Sequence, residues 1–252
     1  LLVTEVKKEI SYPIKGDIIK NIGNIQTKFN WKFDINTNFE LNDEGNFIPK
    51  KSFIKKVESL VRGSLEYRSY IDSLKFELDL TNCKFFKNLD INDYNFSLEF
   101  HHYPYTLYDI TSIIINKKVC QYGKNMEEFA NSFDPFIIAD EVTKLHYENL
   151  VGLIPLSKVV HELAHNGKIF IPLNKDYVFG NWNKFTLTYS RFMELPLLEK
   201  LQGLEENTNL LGGNCQFLDT SILDIHAVKL LMDDVDVPKI IKSSESEEKK
   251  EA

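Results

Sequence analysis

The stretch "LIPLSKVVHELAHNG", residues 153–167, limits this chain more tightly than any other segment. A short apolar run holding Pro155 reads as a strand, Ser157 is placed to cap a helix, and Asn166-Gly167 stops that helix after "KVVHELAH". So brief a helix offers one functional face. His161 and His165 share it, because residues four apart lie one turn apart on the same side. Two imidazoles so placed suit capture of a metal ion. The same five residues, His161 to His165, spell the H-E-x-x-H signature of zinc peptidases, in which Glu162 would activate water. Glu162 points roughly 100° around the helix axis from His161. The extended form of that signature is absent, since Asn166, Gly167 and Lys168 lead directly into a strand-like "KIFIPL". Glu194 and Glu199 are the remoter carboxylates for a third ligand, and no pattern marks either. The plainest alternative is a half-buried helix face that binds nothing.

The chain has six histidines, and four of them stand in "EFHHYP" and "HELAH". The strand-like "YNFSLEFHHYPY" ends at His101-His102, with Pro104 soon after. The order is therefore a strand closing on a histidine pair, a second strand, and a short helix with two histidines. At "LEFHHYP" and "GLIPLSKVVHELAHNGK" the sequence resembles the HNH endonuclease superfamily, and it is similar to uncharacterised phage-encoded proteins of that superfamily.

The resemblance implies a ββα-metal finger in which His101, His161 and His165 hold one divalent metal ion (Zn, Mn, Ni or Mg), with His102 as the catalytic general base. Adjacent strand residues point in different directions, so one imidazole can face the metal and its neighbour a water. Neutral imidazole, with an ordinary pKa near 6.5, can accept a proton from water at neutral pH. The implied reaction is hydrolysis of a DNA phosphodiester, leaving a 5′-phosphate. The family's middle asparagine orients the base. Counting back from the helix reaches Gly152, and Asn149, three residues earlier, is carried as the catalytic equivalent. Residues 105–148 become a helical insertion within the finger.

The fold expectation is α+β: the finger and its insertion embedded in a larger mixed domain with a helical C-terminal region. The boundaries are residues 1–95 for an N-terminal α+β region, 96–173 for the HNH-like core, 174–242 for the helical region and 243–252 for a disordered tail. Within the first region, "TKFNWKFDINTNFELNDEGNF" reads as strand, turn and strand. A helix capped by Ser52 then runs through Ile54, Val57, Leu60, Val61, Leu65 and Tyr67 to Leu74. "SLKFELDLTNCKFF" reads as a strand, 106–118 and 137–148 as helices, and 183–200 and 219–233 as helical patterns separated by "LLGGN".

A formal net charge of −7 opposes non-specific coating of nucleic acid, yet leaves room for a small basic groove. Arg62, Arg68 and Lys168 are the candidates to face phosphate. Glu99, two residues before His101 on the same strand face, is a candidate partner for a metal-bound imidazole. His146 and His226 sit among apolar residues and read as packing histidines. Cys83, Cys120 and Cys215 are far apart and form no C-x-x-C pair, which points to a reducing compartment, the cytoplasm (host cytoplasm for a phage protein). No apolar run is long enough to cross a bilayer, and the start has no signal-peptide pattern. Expected partners are DNA and viral proteins, with no membrane. The rival reading is a non-catalytic, metal-stapled structural or interaction protein of viral origin.

Overall fold

The computed structural model describes residues 35–43, 46–86, 90–92, 96–122 and 133–218, and over these the chain is α+β. The elements in order are α1 (Ile35–Asn38), β1 (Phe39–Leu41), β2 (Phe47–Pro49), α2 (Lys51–Gly63) and α3 (Leu65–Phe76). There follow β3 (Leu98–His102), α4 (Leu107–Tyr122), α5 (Pro135–Tyr147), β4 (Leu153–Ser157), α6 (Lys158–His165) and β5 (Ile169–Phe170). Last come α7 (Trp182–Tyr189), a 3-10 turn at Ser190–Phe192, α8 (Leu195–Leu210) and β6 (Gln216–Phe217).

These elements divide into two compact units. The described residues up to Asp79, with those of His102–Leu153 and Val178–Gly203, form the first; those of Leu80–His101, Ile154–Tyr177 and from Leu204 onward form the second. The first unit is built on α2, α4 and α5. Phe53, Val57 and Val61 of α2, Ile110, Ile113 and Ile114 of α4, and Ile138 and Val142 of α5 are all buried. Their three- and four-residue spacing puts them on one stripe of each helix, and each such side chain contributes about 1.5–3 kcal/mol on burial. Glu141 of α5 ties α4 down by accepting from Lys117 and Lys118, each at 2.8 Å. The second unit has a smaller core of Leu98, Phe100, Ile154, Leu156, Val160, Ile169 and Phe170.

Several local expectations are corrected. The helix expected from 52 to 74 is two helices, because Ser64 takes extended backbone and caps α3 by accepting from the Tyr67 amide at 3.1 Å. Lys50, not Ser52, occupies the N-cap of α2. "SLKFELDLTNCKFF" is not a strand: its first residues complete α3, where Leu74 is buried on the same face as Tyr67 and Tyr70. Beyond α3 that segment forms an isolated bridge, Asn82 to Asp90, in place of a strand. The pattern at 183–200 is interrupted by the 3-10 turn and resumes as α8. The strand–turn–strand reading holds for β1 and β2, which pair antiparallel from Phe39–Pro49 to Leu41–Phe47, whereas Ile35–Asn38 just ahead of β1 is helical rather than strand. Its beginning, the pattern at 219–233 with His226, and the tail lie outside the described residues.

β3 and β4 are hydrogen-bonded neighbours in a two-stranded sheet. In the second unit the Lys158 amide donates to the Ser97 carbonyl at 3.0 Å, and in the first the Tyr103 amide donates to Gly152 at 3.0 Å. That approach leaves no room at residue 152, where a Cβ would overlap the Tyr103 carbonyl oxygen. Gly180 is constrained twice over: its φ is +97°, and a Cβ there would overlap the Val151 carbonyl oxygen. Asn149, at φ 54°, ends α5 in the left-handed conformation that asparagine tolerates, its amide donating to His146 at 2.9 Å. We expect Gly152→Ala and Gly180→Ala each to destabilise the fold by about 3 kcal/mol or more, whereas Gly203→Ala within α8, where an added Cβ meets nothing, should stabilise it by about 0.5–1 kcal/mol, read as shifts in urea unfolding midpoints.

Candidate metal centre

β3 and α6 meet within the second unit. Glu99 and His101 are two apart on β3 and so leave the same face of the strand. α6 begins where β4 ends: Ser157 sits at the N-cap position, its amide donating to the buried Cys83 sulfur at 3.3 Å, although its hydroxyl makes no capping bond. Val160 anchors α6 in the core, and one residue on, His161 opens the stripe that His165 closes one turn later.

The imidazoles of His101, His161 and His165 converge. Ring centroids are 5.1 Å apart for His101–His161, 4.9 Å for His101–His165 and 4.5 Å for His161–His165. One ring nitrogen from each lies within 4.8 Å of the others, and the Nε2 atoms of His161 and His165 are 3.1 Å apart. Two nitrogens bound tetrahedrally to zinc are separated by about 3.3 Å, so this spacing matches a shared ion. The donor chemistry fits too, since three neutral nitrogens suit zinc, nickel or a similar ion better than magnesium. His101 is buried, His161 half-buried and His165 exposed, so the cluster opens toward solvent on the α6 side.

Glu99 completes the arrangement. Its Oε2 lies 2.5 Å from His161 Nδ1, so the ring donates Nδ1–H to the carboxylate. That bond sets the tautomer: the proton is on Nδ1, and the Nε2 lone pair points at His165. The choice for Glu99 between surface residue and imidazole partner resolves in favour of the partner. Glu162 is exposed and outside the three-donor group, and Glu194 lines a cavity in the first unit with Tyr108 and Asp109.

His102 leaves the opposite face of β3 and belongs to the first unit, where it is buried at 5% exposure. Its Nε2 lies 3.0 Å from Nε2 of His146, a fully buried residue of α5. Tyr67 stacks on His102 with centroids 6.2 Å apart, and Tyr67 and Tyr70 pack edge-on to His146 at 5.3 and 5.5 Å. Burial pushes the His146 pKa down to about 4, outweighing the hydrogen bond to the Val142 carbonyl that favours its charged form; the Arg62 charge pushes the same way as burial. Burial likewise raises the Tyr67 phenol to about 12. His146 and Tyr67 are therefore neutral near pH 7. Asn149 also belongs to the first unit, where its backbone carbonyl accepts from Asn181 at 2.6 Å and its side-chain Oδ1 is buried without a hydrogen-bond partner. Gly152, the other position for the family asparagine, cannot carry a side chain for the reason given above. Arg68 spends its guanidinium on the carbonyls of Gly63 and Ser64, ending α2, and Arg62 lies 3.9 Å from Glu58. Lys168 is exposed just beyond α6.

Sequence reasoning took His146 for a packing residue and missed its bond to His102. The available signal was a histidine on the apolar face of α5, where an unpartnered ring nitrogen would be costly.

A family profile described as Bacteriophage G278-like virion protein matches residues 6–236. No curated protein and no solved structure matches significantly. Among the described residues no helix is long and apolar enough to cross a membrane.

Two measurements test this geometry. Titration calorimetry with Zn²⁺ should give one site per chain, weakened about 10- to 100-fold in Glu99→Gln and lost in His101→Ala. The buried pair predicts a pH-dependent stability in chelator. His146 has a folded pKa below its unfolded value, so the unfolded chain binds the extra proton. Its contribution is full above about pH 6.5 and is lost as pH falls toward about 4. Between pH 7.5 and 5 the loss is about 2 kcal/mol, and His146→Phe should remove that slope from urea unfolding curves.

Proposed function

The chain belongs to the Bacteriophage G278-like virion protein family, and we propose, on the geometry of its histidines, that it is a metal-dependent, HNH-type endonuclease acting on DNA phosphodiesters. One observation carries this reading: His101, His161 and His165 converge, in the strand–strand–helix order that the HNH likeness implies, with Glu99 orienting His161. An acidic chain of this kind would engage DNA locally, at the finger, and its setting would be the host cytoplasm or the particle.

A divalent ion held by His101, His161 and His165 would supply Lewis-acid stabilisation of the charge that develops on the reacting phosphate. The protein's part is positional. His101, His161 and His165 bind through neutral nitrogens, and Glu99 holds His161 in the tautomer that binding requires. His102 takes a proton from the attacking water as the new P–O bond forms and the P–O3′ bond breaks. The 3′ oxygen picks up a proton from solvent, leaving 3′-hydroxyl and 5′-phosphate ends. Lys168, exposed past the end of α6, would contribute a positive charge for phosphate.

A second reading has its own support. His102 is buried against His146 and Tyr67, an environment that suits a packed core as well as a base. On that reading the three-histidine centre is a structural staple in a virion protein, and the metal adds stability by binding only the folded state.

Plasmid-nicking assays with Mg²⁺, Mn²⁺, Ni²⁺ or Zn²⁺ distinguish the two. The endonuclease reading expects cleavage with 5′-phosphate ends, at least 100-fold slower in His102→Ala with metal affinity unchanged, as for loss of a general base. Clean, metal-loaded protein that cuts neither DNA nor RNA, while its unfolding midpoint rises with metal, would establish the staple.

A further inference from the structure

We propose that His146 is a positioning residue for His102: through a relay from the Val142 carbonyl it fixes the His102 imidazole in one tautomer, with the proton on Nε2 and the lone pair on Nδ1. This rests on the endonuclease reading for its purpose, but its geometry stands independently within the first unit.

The relay follows from which atoms can donate. His146 Nδ1 lies 2.8 Å from the Val142 carbonyl oxygen, one helical turn earlier on α5. A carbonyl only accepts, so Nδ1 of His146 carries the proton. His146 is fully buried and stays neutral near pH 7, so its Nε2 holds a lone pair and can only accept. Nε2 of His102, 3.0 Å away, must then be the donor. His102 then carries its proton on Nε2 and its basic lone pair on Nδ1.

Both rings are held where they are. Tyr67 lies nearly parallel to His102, at an interplanar angle of 11°, and meets His146 edge-on at 87°. Tyr70, itself fully buried, closes another side of His146. The other neutral tautomer of His146 would put a lone pair against the Val142 carbonyl, so the backbone of α5 sets the direction of the whole relay. A general base gains from this because a base held in one tautomer presents its lone pair in one direction, whereas a rotating ring spends part of its time in the wrong one.

Nitrogen NMR of histidine-labelled protein reads the tautomers directly. In the full-length protein at pH 7.5 the expected pattern is Nε2–H for His102 and Nδ1–H for His146. His102 protonated on Nδ1 would overturn the proposal outright. In His146→Phe, which keeps a ring in the core but removes the acceptor, the His102 nitrogens should move toward an averaged, mixed-tautomer pair, and DNA cleavage should slow at least about 10-fold through kcat rather than KM. Zn²⁺ affinity should not change, because the three ligands lie in the other unit. His146→Gln, which can present an amide oxygen to His102, should restore the Nε2–H signature in part; it also serves where the Phe variant folds poorly. His102 signals identical in wild type and both variants would reject the relay. Wild-type protein that binds metal but cleaves no DNA would reject the endonuclease reading alone, since the nitrogen shifts still decide the tautomer.

Discussion

In β3, Glu99 and His101 project to one side and His102 to the other, because successive side chains of a strand leave opposite faces. This alternation sorts the four histidines of the two motifs. His101 joins His161 and His165 in the second unit, and His102 joins His146 in the first.

The two histidine sets differ in surroundings and therefore in what they can do. The group on β3 and α6 grades from buried to exposed, and a carboxylate pins one of its rings. It combines a fixed floor with an open side, the arrangement a metal ligand set needs if a further ligand is to reach the ion. The pair on β3 and α5 is lined by aromatic rings, and His146 is hydrogen-bonded to the backbone of its own helix and held neutral near pH 7. Neighbouring imidazoles thus receive opposite treatments from a single strand.

Close backbone contacts support this sorting. The Tyr103 and Gly152 backbones touch just past the His102 end of β3, which residue 152 permits only by lacking a side chain. Asn149 turns the chain out of α5 in a left-handed conformation, and Gly180 lets Val151 pass closely. A count from the histidine helix puts the HNH asparagine at Gly152 and reads Asn149 as its substitute. In the fold both positions are accounted for by backbone demands, one by steric exclusion and the other by helix termination.

Much of this was legible from local pattern. The short α6 with its stop at Asn166-Gly167, the shared face of His161 and His165, the strand ending at His101-His102 and the helices α4 and α5 all follow from side-chain periodicity and from residues whose backbone preferences are strong. Where apolar spacing ran on across a break or was weak, the reading failed: Gly63-Ser64 splits α2 from α3 although the apolar spacing continues, and "KFELDL" alternates like a strand although its start is helical. Local spacing cannot see partners distant in the chain. That Glu99 would hold His161, that His102 would find His146 forty-four residues away, and that both histidine sets would close up at all depended on how β3 packs. The sequence by itself determined which side chains share a face, because that is a property of the strand and helix repeats. Only the tertiary structure decided what each face meets, because burial, tautomer and charge are set by neighbours that the chain brings together from far apart.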